Sequence, residues 1–202
     1  MLGKSRRNRR NLDASVRKAA EAVRRGGLVV FPTDTVYGLG CDPFDEAAVR
    51  KLLKLKWRRS KPLPILVSSL AKAQELAYFS EAALKLAKRN WPGPLTMVLP
   101  TRRNISDVVS AGANTVGLRM PNSPTALKLI KLCGGALIGT SANKAGGMPP
   151  RTAQQAIKAL GPGVDSVIDG GPTRLGVSSA VVEVHGDDVR VLRKGPVEKL
   201  RS

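Results

Sequence analysis

Leu28-Val29-Val30-Phe31-Pro32-Thr33-Asp34-Thr35-Val36-Tyr37-Gly38-Leu39-Gly40 is an apolar run that breaks at a proline into a polar turn bearing glycines. Four consecutive apolar residues without alternation predict a short strand buried on both faces, Leu28 to Phe31. Upstream, Leu12 to Arg25 has helical spacing: Val16, Ala19, Ala20 and Val23 share a face, Asp13 is placed to cap the start, and Gly26-Gly27 ends it. Downstream of the turn, Asp45 opens a second helix with Val49, Leu52 and Leu53 facing inward. Helix, buried strand, polar turn and helix in that order are the repeating unit of an α/β fold. In such sheets ligands bind beyond the carboxyl ends of strands.

The same alternation continues along the chain. Strands are predicted at Ile65–Val67, Leu95–Leu99, Val116–Arg119 and Ala136–Ile138, with three more near Ser166–Ile168, Ala180–Val184 and Val189–Leu192. Helices are predicted after the capping residues Ser69, Ser80, Ser123 (with Pro124 at the first helical position, running to about Lys131) and Thr152. Trp91-Pro92-Gly93-Pro94 is a break. The expected architecture is a single α/β domain, a twisted mixed β-sheet flanked by helices. No internal repeat or linker divides residues 12–202, whereas residues 1–11 hold five basic side chains and no acid and read as a flexible tail.

Composition narrows the chemistry. The chain has 202 residues, a size suited to one domain, and 42% hydrophobic content argues against global disorder. No apolar run approaches the ~20 residues of a membrane span, and no apolar segment follows the basic start as in a secretory signal. A soluble cytoplasmic protein is the expectation. Cys41 and Cys133 form no CxxC pair, which excludes a disulfide scaffold and zinc-ligand spacing. The single histidine, His185, sits beside a hairpin turn at Gly186-Asp187-Asp188. Chemistry by Lys, Arg, Ser, Thr and backbone groups remains. The net charge of +19 implies an anionic partner, and seven aromatic residues are too few for a base-stacking platform on single-stranded RNA.

No GxxxxGK(S/T) and no GxGxxG after a strand occurs, so the common phosphate loops are absent. Four other features stand out. The turn at residues 31–40 offers two threonine hydroxyls, a carboxylate and backbone amides, groups that would equally serve as turn caps. Arg50 to Lys61 carries seven basic residues in twelve and no acid. Its first half reads as a solvated helix face, while Lys56, Arg58 and Lys61 converge at the helix end before Pro62-Leu63-Pro64, as a polyphosphate site would require. Gly139-Thr140-Ser141-Ala142-Asn143 follows a buried strand, with hydroxyl and amide groups that suit a helix cap or a ligand anion. Arg119 closes an apolar strand and demands an anion, either a protein carboxylate or that of a substrate.

Together these motifs resemble the YrdC-type threonylcarbamoyl-AMP synthase family. The resemblance runs from about Val16 to Gly195. It rests on FPTDTVYGLG, Lys56-Trp57-Arg58, WPGPLT at 91–96, TVGLRMP at 115–121, TSAN at 140–143, IDGG at 168–171 with the following GVSS, and VLRKG at 191–195, all in family order. It implies an α/β domain with a basic concave cleft, and an enzyme that makes threonylcarbamoyl-AMP and pyrophosphate from L-threonine, bicarbonate and ATP with Mg²⁺. A threonylcarbamoyl transferase complex would then modify adenosine 37 of ANN-decoding tRNAs. Carried over by motif, Lys56 and Arg58 are the implied catalytic cations. Thr35, Arg119, Gly139 and Ser179 would meet threonine. Arg58, Lys61, Thr115, Ser141, Asn143 and Arg193 would meet ATP, whose phosphates would hold the Mg²⁺.

This sequence departs from the family pattern in places. The segment from Lys56 to Leu63 is about one residue short, Leu66 stands where histidine is frequent, Ser178 and Ala180 replace Glu and Thr, and Lys194 replaces a frequent proline. A second reading, from a different class, is a tRNA- or double-stranded-RNA-binding protein that uses the same scaffold and its surplus charge through phosphate contacts.

Overall fold

The computed structural model describes residues 2–57, 61–102 and 105–197, with side chains from Arg10 onward. Its first element, α1 (Leu2–Arg24), packs on the later helix α6 (Pro124–Leu132) and on β1 (Val29–Phe31). The expected tail is therefore helical: from Lys4 to Arg25 no Gly or Pro interrupts the chain, and Lys and Arg are good helix formers. Asp13, expected as the cap, lies inside α1 and pairs with Lys128 of α6 at 2.6 Å.

The five other anticipated caps are in place. Asp45, Ser69, Ser80, Ser123 and Thr152 each accept a backbone N–H in the first turn of α2 (Glu46–Leu55), α3 (Leu70–Leu76), α4 (Glu81–Asn90), α6 and α7 (Ala153–Leu160). Each such cap contributes roughly 1 kcal/mol. A one-turn helix, α5 (Asp107–Ser110), was not anticipated.

The expected single sheet is two sheets. The four-stranded one has the order β7-β2-β1-β8, comprising β1, β2 (Gly38–Gly40), β7 (Thr140–Ser141) and β8 (Ser166–Val167). The six-stranded one has the order β10-β9-β4-β5-β3-β6, comprising β3 (Ile65–Val67), β4 (Leu95–Pro100), β5 (Thr115–Arg119), β6 (Ala136–Ile138), β9 (Ala180–His185) and β10 (Asp188–Arg193). Both mix parallel and antiparallel pairs. β2 and β7 read as loops in the sequence because GLG and TS carry little strand propensity. They pair because glycine permits close approach: a Cβ on Gly40 would lie 2.3 Å from the Ile138 carbonyl oxygen and 2.9 Å from the Phe31 ring. Gly139 is the joint where the chain leaves one sheet at β6 and enters the other at β7.

The larger apolar cluster lies among α2, α3, α4, α7 and the sheets, with Tyr37, Leu52, Ile65, Met97 and Leu118 fully buried. A smaller one joins α1 and α6 to Phe31, Leu66, Leu137 and Ile168. β9 and β10 form the hairpin expected around His185, which is exposed at its turn. Among the described residues no helix is long and apolar enough to cross a membrane.

Candidate functional site

Where edges of the two sheets meet, a cavity of about 230 Å³ opens between the turn after β1, the end of β5, Gly139 and the turn before β9. Its deepest charge is Arg119, 6% exposed, at the last position of β5. The guanidinium donates from Nε to the Gly93 carbonyl at 3.0 Å, from Nη1 to Thr35 Oγ1 at 2.9 Å and from Nη2 to Asp34 Oδ1. The anion that Arg119 demands is thus first a protein carboxylate, Asp34, visible in the sequence as the acid of this turn but not as the partner of Arg119. The two are 85 residues apart, and nothing in the chain pairs them until β1 and β5 are folded. Burial lowers the Arg119 pKa from its ordinary value, Asp34 opposes that, and the charge of Arg193 lowers it further.

The turn after β1 has a definite proton order. Thr33 Oγ1 donates to the Val36 carbonyl at 2.6 Å and accepts the Thr35 N–H at 3.1 Å. With its one proton so placed, Thr33 must accept from Thr35 in their 2.9 Å contact. Thr35 Oγ1, already accepting from Arg119, therefore offers the cavity a remaining lone pair, an acceptor for an ammonium or hydroxyl. Tyr37 explains the IDGG motif: its hydroxyl donates to the Gly171 carbonyl at 2.8 Å and accepts the Gly170 N–H at 3.1 Å, tying that loop to β2.

Gly139 is forced by its neighbour, since a Cβ there would lie 2.3 Å from Leu66 Cγ. Its N–H already donates to the Pro64 carbonyl at 3.0 Å. Any backbone contact from Gly139 to a ligand thus comes from its carbonyl. Opposite, Ser179 Oγ lies 2.9 Å from Thr96 Oγ1 and accepts from Arg193 Nη2 at 3.3 Å, while Arg193 Nε donates to the Ser179 carbonyl at 3.0 Å. Burial lowers the Arg193 pKa as well.

A second cavity, of about 350 Å³, adjoins the first through Ser141 and Arg193 and extends to Lys56, Trp57, Lys61, Asn143, Ala145 and Gly146. Lys56 is buried. Its ammonium donates to the carbonyls of Ser141 and Asn143, and its own carbonyl accepts the Ala145 N–H at 2.9 Å. Those bonds make it a clasp between the end of α2 and the TSAN turn. Asn143 donates both amide hydrogens to its own loop, to the carbonyls of Lys144 (2.8 Å) and Gly147 (2.7 Å), which leaves Oδ1 buried and unpartnered at the cavity wall. Asn143 can therefore accept from a ligand and has nothing left to donate. Lys61 is exposed on the same wall.

Of the predicted site residues, Arg58 lies outside the described residues, and one described residue does not join this group. Thr115 begins β5 opposite Pro100, at the far end of the strand from Arg119, roughly 13 Å away at the rise of a strand, and lines neither cavity. For a metal the donor set is poor. Among the described residues no three His, Cys, Asp or Glu side chains converge, and Asp34 is engaged by Arg119.

Comparisons with known proteins place the fold. The Sua5/YciO/YrdC family model, described as "Telomere recombination", matches residues 21–195. The threonylcarbamoyl-AMP synthase of Pyrococcus abyssi is 41% identical over 191 residues, 93% of this chain and 56% of that protein. The crystal structure of P. abyssi Sua5 complexed with L-threonine superposes with a TM-score of 0.85 at 41% identity, over 88% of this chain and 53% of that one. Escherichia coli YciO superposes with a TM-score of 0.80 at 27% identity, over 89% of this chain and 88% of that one. This chain thus spans about half the length of the P. abyssi protein it matches.

Proposed function

The chain belongs to the Sua5/YciO/YrdC family, and from that premise we propose that it makes threonylcarbamoyl-AMP and pyrophosphate from L-threonine, bicarbonate and ATP. The observation that carries this reading is the wall shared by the two cavities: Ser141 and Arg193 line both. One substrate on each side brings its reacting end to that wall. Threonine fits the smaller cavity, with its carboxylate toward Arg119, its amine or hydroxyl within reach of the Thr35 acceptor and the Gly139 carbonyl, and Ser179 opposite. ATP fits the larger cavity, with its phosphates toward Lys61 and Arg193, and a ribose or base donor for Asn143 Oδ1.

The reaction needs charge neutralisation and alignment more than a base. Threonine's neutral amine forms a bond to the carbon of bicarbonate, a C–O bond of that carbon breaks with loss of water, and a carbamate anion remains. A carbamate oxygen then forms a bond to the α-phosphorus of ATP, the bond from that phosphorus to the bridging oxygen breaks, and pyrophosphate leaves. Both reactants are anions, so the barrier includes their repulsion. Arg193 at the shared wall offsets that repulsion where the new bond forms, and its guanidinium, which disfavours the buried charge of Arg119, gains with it from an anion between them. Lys56 acts at one remove, holding the turn that presents Ser141 and Asn143. Among the described residues none form a cage for a resident metal; Mg²⁺ would arrive on the triphosphate as part of the substrate. The product is a mixed anhydride suited to a threonylcarbamoyl transferase complex acting on tRNA, and the substrates suit a cytoplasmic enzyme.

The test is pyrophosphate release from Mg-ATP with threonine and bicarbonate omitted in turn, with mass spectrometry of the adenylate. Release that requires both supports the reading, and release indifferent to threonine overturns it. Any affinity of the surplus basic surface for RNA should collapse with rising salt while turnover persists.

A further inference from the structure

Trp57 breaks two local rules at once. It follows Lys56, the C-cap of α2, at the position where a helix ends in left-handed backbone and glycine is favoured, and it adopts φ 52° there. A bulky side chain in that conformation is strained. The residue is also 74% exposed, so the indole recovers none of that cost by burial. Glycine would relieve both penalties. Strain of this kind at a cavity wall points to a ligand.

The surroundings say which ligand. Trp57 lines the second cavity beside Lys61, Asn143 and Arg193, and the Lys144 ammonium sits over its ring at 4.1 Å from the centroid. That contact holds the ring in place while most of its surface stays open. An apolar π-face next to a cluster of cations and a lone amide acceptor matches a nucleotide: phosphates for the cations, a flat base for the indole. We infer that Trp57 is the stacking platform for the adenine base of the bound nucleotide, and so a determinant of ATP affinity. The inference rests on the reading of this cavity as the ATP site. An RNA base is the less favoured occupant, because the ring belongs to a walled cavity continuous with the threonine side.

The test uses the whole chain with Trp57→Gly and Trp57→Phe. Trp91 has its Nε1 bonded to the Leu95 carbonyl and supplies a steady background, so emission changes report Trp57. Mg-ATP should quench wild-type emission, whereas tripolyphosphate, which has no base, should not. In W57G the quench should vanish and KM for ATP should rise about tenfold, within the range of base–aromatic stacking. Its kcat and its KM for threonine should stay within about twofold. W57F should keep much of the affinity. W57G should melt at or above the wild-type temperature, because glycine relaxes the backbone there. Unchanged KM for ATP in W57G, or equal quenching by tripolyphosphate, overturns the inference while leaving the enzyme reading intact. A lower melting temperature with unchanged KM would mark a structural role and overturns it equally. A wild-type chain that neither binds nor turns over ATP refutes the functional reading, and this inference with it.

Discussion

Replacing Arg119 by Met keeps most of the side-chain volume and removes the guanidinium. Three donors are lost, to the Gly93 carbonyl, Thr35 Oγ1 and Asp34 Oδ1. The consequence falls on Asp34, whose side chain has no exposure and whose Oδ2 already has no partner. The variant buries a carboxylate with nothing to answer its charge. Breaking a buried pair in this way costs about 3–5 kcal/mol, and in a chain of this size each kcal/mol lowers the melting temperature by about 2–4 °C. R119M should therefore melt roughly 6–20 °C below the parent. Removing the stranded charge should reverse most of the loss, since an apolar pair in place of a buried ion pair is often neutral or better. The double variant R119M with Asp34→Leu should be clearly more stable than R119M alone in urea unfolding at constant m-value. That folded double variant should still fail to bind threonine by calorimetry. A cost below about 1 kcal/mol for R119M, or a double variant no more stable than the single, would refute the account of Asp34 as a charge held only by Arg119. Threonine binding by the double variant would refute the carboxylate clamp.

Gly139→Ala should destabilise by about 1–3 kcal/mol through overpacking against buried Leu66, and adding Leu66→Ala should recover part of it in urea unfolding. Lys56→Met removes charged donors to the Ser141 and Asn143 carbonyls. It should cost roughly 1.5–3 kcal/mol, speed hydrogen exchange at the Ala145 amide, and raise KM for ATP more than KM for threonine. Burial pushes the Cys41 thiol up to about 12 and the Cys133 thiol up to about 11, from an ordinary 9.0. Both thiols lose protons more readily when unfolded, so their contribution is full below pH 9 and falls as pH climbs toward the folded values. The Cys41→Ala, Cys133→Ala variant should show a flatter alkaline limb of stability, and native protein should resist iodoacetamide at about pH 8 while unfolded protein reacts.

What the sequence shows and hides follows from how local each signal is. Buried strands such as Val29–Phe31 and Ala136–Ile138 announce themselves by apolar runs, and five helix starts by a single hydroxyl or carboxylate. β2 and β7 carry no such signal, because they are strands only through their neighbours. That is why one expected sheet became two. Charge misled at both ends of the argument. A basic start without acids suggests a tail although Lys and Arg are good helix formers, and Lys56 suggests a ligand cation although its ammonium holds backbone carbonyls. Asp34 stayed hidden for the opposite reason, as one acid in a turn whose partner is distant in sequence. Thr35, Arg119, Gly139, Ser179, Ser141 and Arg193 line one cavity, whereas Thr115 does not.

The first cavity draws Gly38, Thr140 and Ser141 from the four-stranded sheet and Leu66, Thr96 and Arg119 from the six-stranded one. A site divided in this way exists only while both halves are formed. Turnover then reports the weaker half: under slow heating, activity should fade at the first sheet to fray, even while the other still holds its amide protons against exchange. Such a protein would carry its own quality control, falling silent before it comes apart.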